Sequence, residues 1–247
     1  AQHSPDHRLL GWSADTAGSE FETIRIRDLA TGTDHDEVKD TTGDLVWLSD
    51  SSGFLYVRLD ENHRGNRVYL HRLGTPAGED ALLYEESDTG FYVSIDQSHD
   101  GAYGLIDIHD HETSEVRIVD LARPGMPRLI EARTTGLRYD VEHHDGRFVI
   151  LTNADGAEDF KIVTAPVATP GRAHWEELVA HQPGRLLMKM TSFARHLVWL
   201  ERADAVPSLR IRSWATGESH AVAFAEPTYA LSYAPGLEHD TDTLRFT

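Results

Sequence analysis

Short alternating runs dominate the chain. IRIRDL, VYLHRL, VRIVDL and LRIRSW each place apolar residues at every second position, with Arg, His or Asp between them. That period of two is the signature of a half-buried β-strand, because successive side chains leave a strand on opposite faces. Each run is preceded by a second β-rich run and a polar turn, and is followed by a turn rich in Gly or Pro. With a fifth such run, FKIVTAP, and aligned on Leu29, Leu73, Leu121, Ala165 and Trp214, they recur at spacings of 44, 48, 44 and 49 residues. A second series reads SPDHRLLGW, SDSSGFLYV, SHDGAYGLI, HHDGRFVIL, SFARHLVWL and HDTDTLRFT. Aligned on Leu9, Phe54, Tyr103, Phe148, Leu197 and Leu244, it recurs at 45, 49, 45, 49 and 47.

Two series with one period in the mid-forties, and about four short strands per repeat, predict a β-propeller of four-stranded blades. The fold class is all-β, with about five blades in a single domain over residues 1–247. The best helix candidate is RAHWEELVAH, Arg172 to His181, which a blade would use as a turn followed by an outer strand. The first repeat lacks an innermost strand such as Leu45 to Leu48 supply to the second. The sequence therefore leads us to expect Tyr229 to Tyr233 beside Arg8 to Trp12, with Thr243 to Thr247 competing for that place.

The stretch HDHETSEVRIVDLARPG, His109 to Gly125, opens with a His-x-His flanked by carboxylates. The repeat places it at the turn between two strands of the third blade, where acidic and small residues hydrogen-bond local backbone. His109 and His111 have no further ligand cluster at fixed spacing. His143 and His144 are adjacent, so a strand would send them to opposite faces. We therefore expect no metal site and no cofactor.

Charge narrows the partners. The net charge is −18, from 41 acidic and 23 basic residues. Phosphate contacts need a basic surface, so nucleic acid is not an expected partner, nor is an anionic membrane. A negative field draws cations, which suits short basic peptides; it also simply keeps a protein soluble. Lys39, Lys161 and Lys189 are the only lysines, and there is no cysteine. Disulfides, thiol catalysis and zinc–thiolate sites are thereby excluded, and a cytoplasmic setting is the expectation. No Gly-x-Ser-x-Gly elbow, phosphate loop or His-Glu-x-x-His occurs; the nearest string is GESHA, Gly217 to Ala221.

Several strings resemble the oligopeptidase B (protease II) branch of the prolyl oligopeptidase family of serine peptidases. They are LDENHRGNRVYLHRLGTPAGEDALLYEE, Leu59 to Glu86; HDHETSEVRIVDLA; LRYDVEHHDGRFVILTNADGAEDFKIVTAP, Leu137 to Pro166; and the final EHDTDTLRFT. The resemblance implies a seven-bladed propeller covering an α/β-hydrolase domain with a Ser–Asp–His triad, which cleaves short peptides after Arg or Lys. The triad segments have no counterpart here, so none of its residues can be carried over and the chain is expected to be inactive alone. The propeller would gate substrate entry as the partner of that catalytic domain. The alternative is a stand-alone propeller that binds a basic peptide or protein, and open blade edges would favour homo-oligomers. For contact with the catalytic domain or substrate, the longest charged hairpin is the candidate: Asp60, Glu61, His63 and Arg64.

Overall fold

The computed structural model describes residues 1–236 and 238–247. Among them, helix is confined to three single 3-10 turns, and no helix is long and apolar enough to cross a membrane. The strands fall in two compact units. The first comprises residues 1–97, 101–111 and 115–129, and the second residues 98–100, 112–114 and 130–247.

The first unit holds three blades. Blade one is β1 (Gln2–His3), β2 (Leu9–Ala14), β3 (Glu22–Asp28) and the first half of β4 (Asp34–Trp47). Blade two takes the second half of β4, then β5 (Gly53–Leu59), β6 (Gly65–Arg72) and β7 (Ala81–Glu85). Because β4 serves both, the two blades form one continuous seven-stranded antiparallel sheet. Its register slips between Thr41 and Leu45. Gly43 sits at that bend with φ +89°, where a Cβ would lie 2.7 Å from Ser13 Oγ and 2.9 Å from Glu22 Oε2. Only glycine takes this left-handed turn in so little space. Blade three is β8 (Tyr92–Gln97), β9 (Tyr103–His109), β10 (Ser114–Asp120) and β11 (Arg128–Leu129).

Alternation along β5 builds the core of this unit. Phe54 and Tyr56 face blade one and pack with Ile24, Ile26, Val38, Leu45 and Trp47. Leu55 and Val57 face the other way, into a cluster with Val68, Ile95, Ile106 and Ile108. All four β5 side chains are fully buried, each stabilising the fold by about 1.5–3 kcal/mol relative to exposure. A buried polar string threads the same layer. Tyr56 Oη donates to Asp80 Oδ2 at 2.9 Å, and Asp80 Oδ1 lies 2.8 Å from His71 Nδ1. The His71 and Asp80 side chains are each 1% exposed. Burial drives the Tyr56 phenol far up, against the opposing pull of the Arg58 cation, so it stays a donor.

The second unit holds two blades and a hairpin. Blade four is β12 (Tyr139–His144), β13 (Arg147–Thr152), β14 (Lys161–Pro166) and β15 (Glu176–Val179). Blade five is β16 (Arg185–Ser192), β17 (His196–Ala203), β18 (Val206–Ser213) and β19 (Ser219–Ala221). Val149, Leu151 and Ile162 meet Leu187, Leu197 and Trp199 between the two blades. RAHWEELVAH resolves into a 3-10 turn at Arg172–His174 and the outer strand β15. The hairpin β20 (Tyr233–Ala234) and β21 (Arg245–Phe246) follows, with Tyr233, Leu231 and Leu244 packed on Val198 and Leu209 of blade five. It forms a separate two-stranded sheet.

The repeat arithmetic locates the strands: Leu9, Phe54, Tyr103, Phe148 and Leu197 fall at the first or second residue of β2, β5, β9, β13 and β17. The expected pairing of Tyr229 to Tyr233 with Arg8 to Trp12 does not occur. Both edges of β2 are taken, by β1 and β3, and Tyr233 pairs with Phe246 instead. The first blade does have its innermost strand, pinned where Trp47 Nε1 donates to Gln2 O at 3.1 Å.

Candidate functional site

The β5–β6 hairpin turns over Asp60 to Arg64, and its shape comes from its first residue. Asp60 Oδ1 accepts from the backbone amides of Asn62 at 2.9 Å and Arg64 at 3.0 Å. Such a carboxylate replaces the missing ladder bonds of a turn. His63 takes the left-handed conformation, φ 60°. Gly65 follows because a Cβ there would come within 2.8 Å of the Val93 carbonyl on β8.

Arg64 ties this turn to the link between β7 and β8. Its Nη1 donates to Asp88 O at 2.7 Å and to Phe91 O at 3.2 Å, while Nε lies 3.4 Å from Asp60 Oδ2. The Arg64 and Asp60 side chains are 12% and 19% exposed. Burial works against ionisation of Asp60, but the Arg64 and Asn62 amides and the Arg64 guanidinium outweigh it and hold its carboxyl below the usual range. Asp60 and Arg64 thus spend their charges inside the fold. Glu61 and His63 face outward. The His63 ring lies on Phe21, centroids 4.3 Å apart, with Glu20 Oε2 at 3.9 Å from Nδ1.

Beside the turn lies an open depression of about 430 Å³, lined by Phe21, Asp40, Arg58, Leu59, Asp60 and Glu61. Arg58 continues the row Phe54–Tyr56 along one face of β5. Its guanidinium lies over the Tyr69 ring at 4.9 Å and the Tyr56 ring at 5.9 Å, and those rings are stacked on each other. Its Nε is buried without a hydrogen-bond partner. Among the described residues, no carboxylate pairs with Arg58, and none of the cations pairs with Asp40 or Glu61. The sequence reading missed Arg58, although a cation on the aromatic face of an alternating strand is a visible signal.

A second group of charges lies in the same unit. Asp44 keeps solvent access, yet its carboxyl is pushed up, first by burial and then by the carboxylates of Asp96 and Glu22.

The histidine motifs resolve as local structure. β9 ends at His109 and β10 begins at Ser114, so HDHETSE is the hairpin turn of blade three. His109 Nδ1 lies 3.1 Å from Asp107 Oδ2 of its own strand. His143 and His144 do point apart: His143 Nδ1 meets Asp100 Oδ2 at 2.5 Å, and His144 stacks on Trp214 at 4.2 Å. GESHA is a tight turn entering the exposed outer strand β19.

A family model described as "Prolyl oligopeptidase, N-terminal beta-propeller domain" matches residues 1–247. Dipeptidyl aminopeptidase BI of Pseudoxanthomonas mexicana is 39% identical over 246 residues, covering 99% of this chain and 34% of that protein. Protease 2 of Moraxella lacunata is 28% identical over 96% of this chain and 34% of its own length. Among solved structures, oligopeptidase B from Leishmania major superposes with a TM-score of 0.92 at 27% identity, over 100% of this chain and 37% of that one. Oligopeptidase B from Trypanosoma brucei, with covalently bound antipain in a closed form, gives 0.89 at 27% identity, over 100% and 36%. The chain thus spans about a third of the length of the relatives it matches.

Proposed function

Because this chain belongs to the prolyl oligopeptidase family, as its N-terminal β-propeller domain, we propose that it is the non-catalytic gating domain of an oligopeptidase B-like serine peptidase acting on short peptides after Arg or Lys. The observation that carries this reading is the superposition of all 247 residues on oligopeptidase B at a TM-score of 0.92. In those relatives the propeller is one domain of a longer peptidase. The mechanism is steric: blades placed over a hydrolase site admit short, flexible chains and exclude folded ones. The Asp60–Arg64 hairpin presents Glu61 and His63 as contacts for the catalytic domain or its substrate. Held to the β7–β8 link through Arg64, it would act as a firm rim. The −18 charge would enrich basic peptides near the entrance through a field screened over about 10 Å at 0.1 M salt. A cytoplasmic setting belongs to the same proposal.

The 39% identity to a dipeptidyl aminopeptidase favours a second reading of specificity, in which the parent enzyme releases dipeptides from free N-termini. Both readings leave chemistry to another domain, since no Gly-x-Ser-x-Gly occurs in the chain. The test is hydrolysis of two chromogenic substrates by the purified chain, one N-blocked and ending in Arg, one an unblocked dipeptide. Neither should turn over. Turnover abolished by a serine-directed inhibitor and copurifying with the chain would overturn the gating reading. A stand-alone binding propeller would instead capture a basic peptide or protein with no hydrolase domain attached, and that binding should weaken sharply as salt screens the acidic surface.

A further inference from the structure

The depression beside the β5–β6 turn holds an unusual combination of charges. Arg58 has already lost water from its Nε and rests on two stacked tyrosine rings, yet it has no anionic partner among the described residues. In a chain of net charge −18, a cation in this position could readily have acquired one. Asp40 and Glu61 line the same depression, exposed and likewise unpaired among the described residues. The Phe21 and Leu59 side chains supply apolar wall.

We infer that this depression recognises the C-terminal residue of a peptide that ends in a basic side chain. The α-carboxylate is received by Arg58, and the side-chain cation by Asp40 and Glu61. Guanidinium and carboxylate match as a two-pronged, charge-assisted pair, and an arginine held over aromatic rings loses little further freedom on forming it. The flanking carboxylates set the ligand class. A phosphate dianion would meet Asp40, Asp60 and Glu61 at once, and a bare metal cation would meet Arg58. A basic C-terminal residue carries one negative and one positive group a few ångströms apart, and so complements both signs. The long stem of Arg or Lys would lie along Phe21 and Leu59. This inference does not depend on the gating reading, because it rests on the charges and walls of the depression alone.

The test uses the 247-residue chain and three peptides: Ala-Ala-Arg, its C-terminal amide, and Ala-Ala-Ala. Binding is measured by titration calorimetry or amide chemical shifts at low salt. The free acid should bind at least tenfold more tightly than the amide, and several-fold more tightly than Ala-Ala-Ala. Arg58→Gln should make acid and amide equal. The double variant Asp40→Asn, Glu61→Gln should erase the preference for Arg over Ala while keeping the preference for acid over amide. Equal binding of acid and amide to the unaltered chain, or binding of neither, would overturn the inference without requiring any variant to fold. An acid preference that survives Arg58→Gln would overturn the assignment of the carboxylate. Failure here leaves the gating reading standing, since that reading is tested on hydrolysis and substrate length.

Discussion

Replacing Arg64 with Met keeps the aliphatic stem and removes three polar contacts. Two are charged donations to the Asp88 and Phe91 carbonyls, at 2.7 and 3.2 Å, and the third is the 3.4 Å pairing with Asp60. A hydrogen bond from a charged group contributes about 1.5–3 kcal/mol when its loss strands a buried partner. Water recovers part of that here, because the site is near the surface, and the partly exposed ion pair adds no more than about 1 kcal/mol. The net cost is about 2–4 kcal/mol. It should be local, because every contact lies in the turn 60–64 or the link 86–91. The assay is native-state hydrogen exchange. The amides of His63 and Arg64 are held by Asp60, and should lose protection by about thirty- to several-hundred-fold at 1.4 kcal/mol per decade. The central amides of β5, whose side chains are fully buried, should change far less. Unchanged exchange in both segments would refute Arg64 as the tie. An equal loss throughout β5 and β6 would show that it serves global stability instead of the hairpin.

Asp80→Ala should be among the most damaging single changes in blade two. It strands Tyr56 Oη and His71 Nδ1, on residues that are 0% and 1% exposed. A loss of about 3–5 kcal/mol is expected, seen as a fall in Tm of about 6–20 °C, whereas Tyr56→Phe should cost about 1–2 kcal/mol; similar small effects from both would contradict the network. Gly65→Ala drives a Cβ to within 2.8 Å of the Val93 carbonyl and should destabilise the chain by about 1–3 kcal/mol, with a neutral thermal melt as the contrary result. Asp44 has its folded pKa raised by burial and by Asp96 and Glu22, so the folded state binds more protons than the unfolded one. Stability from this group is therefore greatest below the ordinary carboxylate pKa and is lost as pH rises through the raised value. Asp44→Asn should raise Tm at pH 7 modestly, and the gain should shrink as pH falls through that window; a gain independent of pH would rule out charge repulsion.

What the sequence could show depended on how far each element repeats. Phe54, Phe148 and Leu197 recur because every second strand must bury the same face, and that periodicity located β5, β13 and β17 to within a residue. The same logic turned RAHWEELVAH into a turn and an edge strand, and HDHETSE into a hairpin. Gln2–His3 and Tyr233–Ala234 are two-residue strands and carry no period. Each pairs in a local hairpin and is held in place by a non-local contact, Trp47 Nε1 on Gln2 O and Tyr233 against blade five, so the expected pairing across the termini failed. At the candidate site, sequence picked the charged turn but could not tell inward from outward charges. Asp60 and Arg64 turn in to hold the backbone, Glu61 and His63 face out, and the unpaired cation is Arg58 on the neighbouring strand.

The central claim is that this propeller limits what reaches a catalytic domain. The most direct test is a length series on the proposed peptidase, in which this propeller would be joined to a hydrolase domain. One cleavable Arg site would be embedded in peptides of increasing length and finally in a folded protein loop, with kcat/KM read at each length. A gating propeller should allow efficient cleavage of short peptides, a steep fall with length and none in the folded protein, with Arg64→Met raising the length at which the fall begins. Cleavage of the folded loop as readily as the short peptide would contradict it.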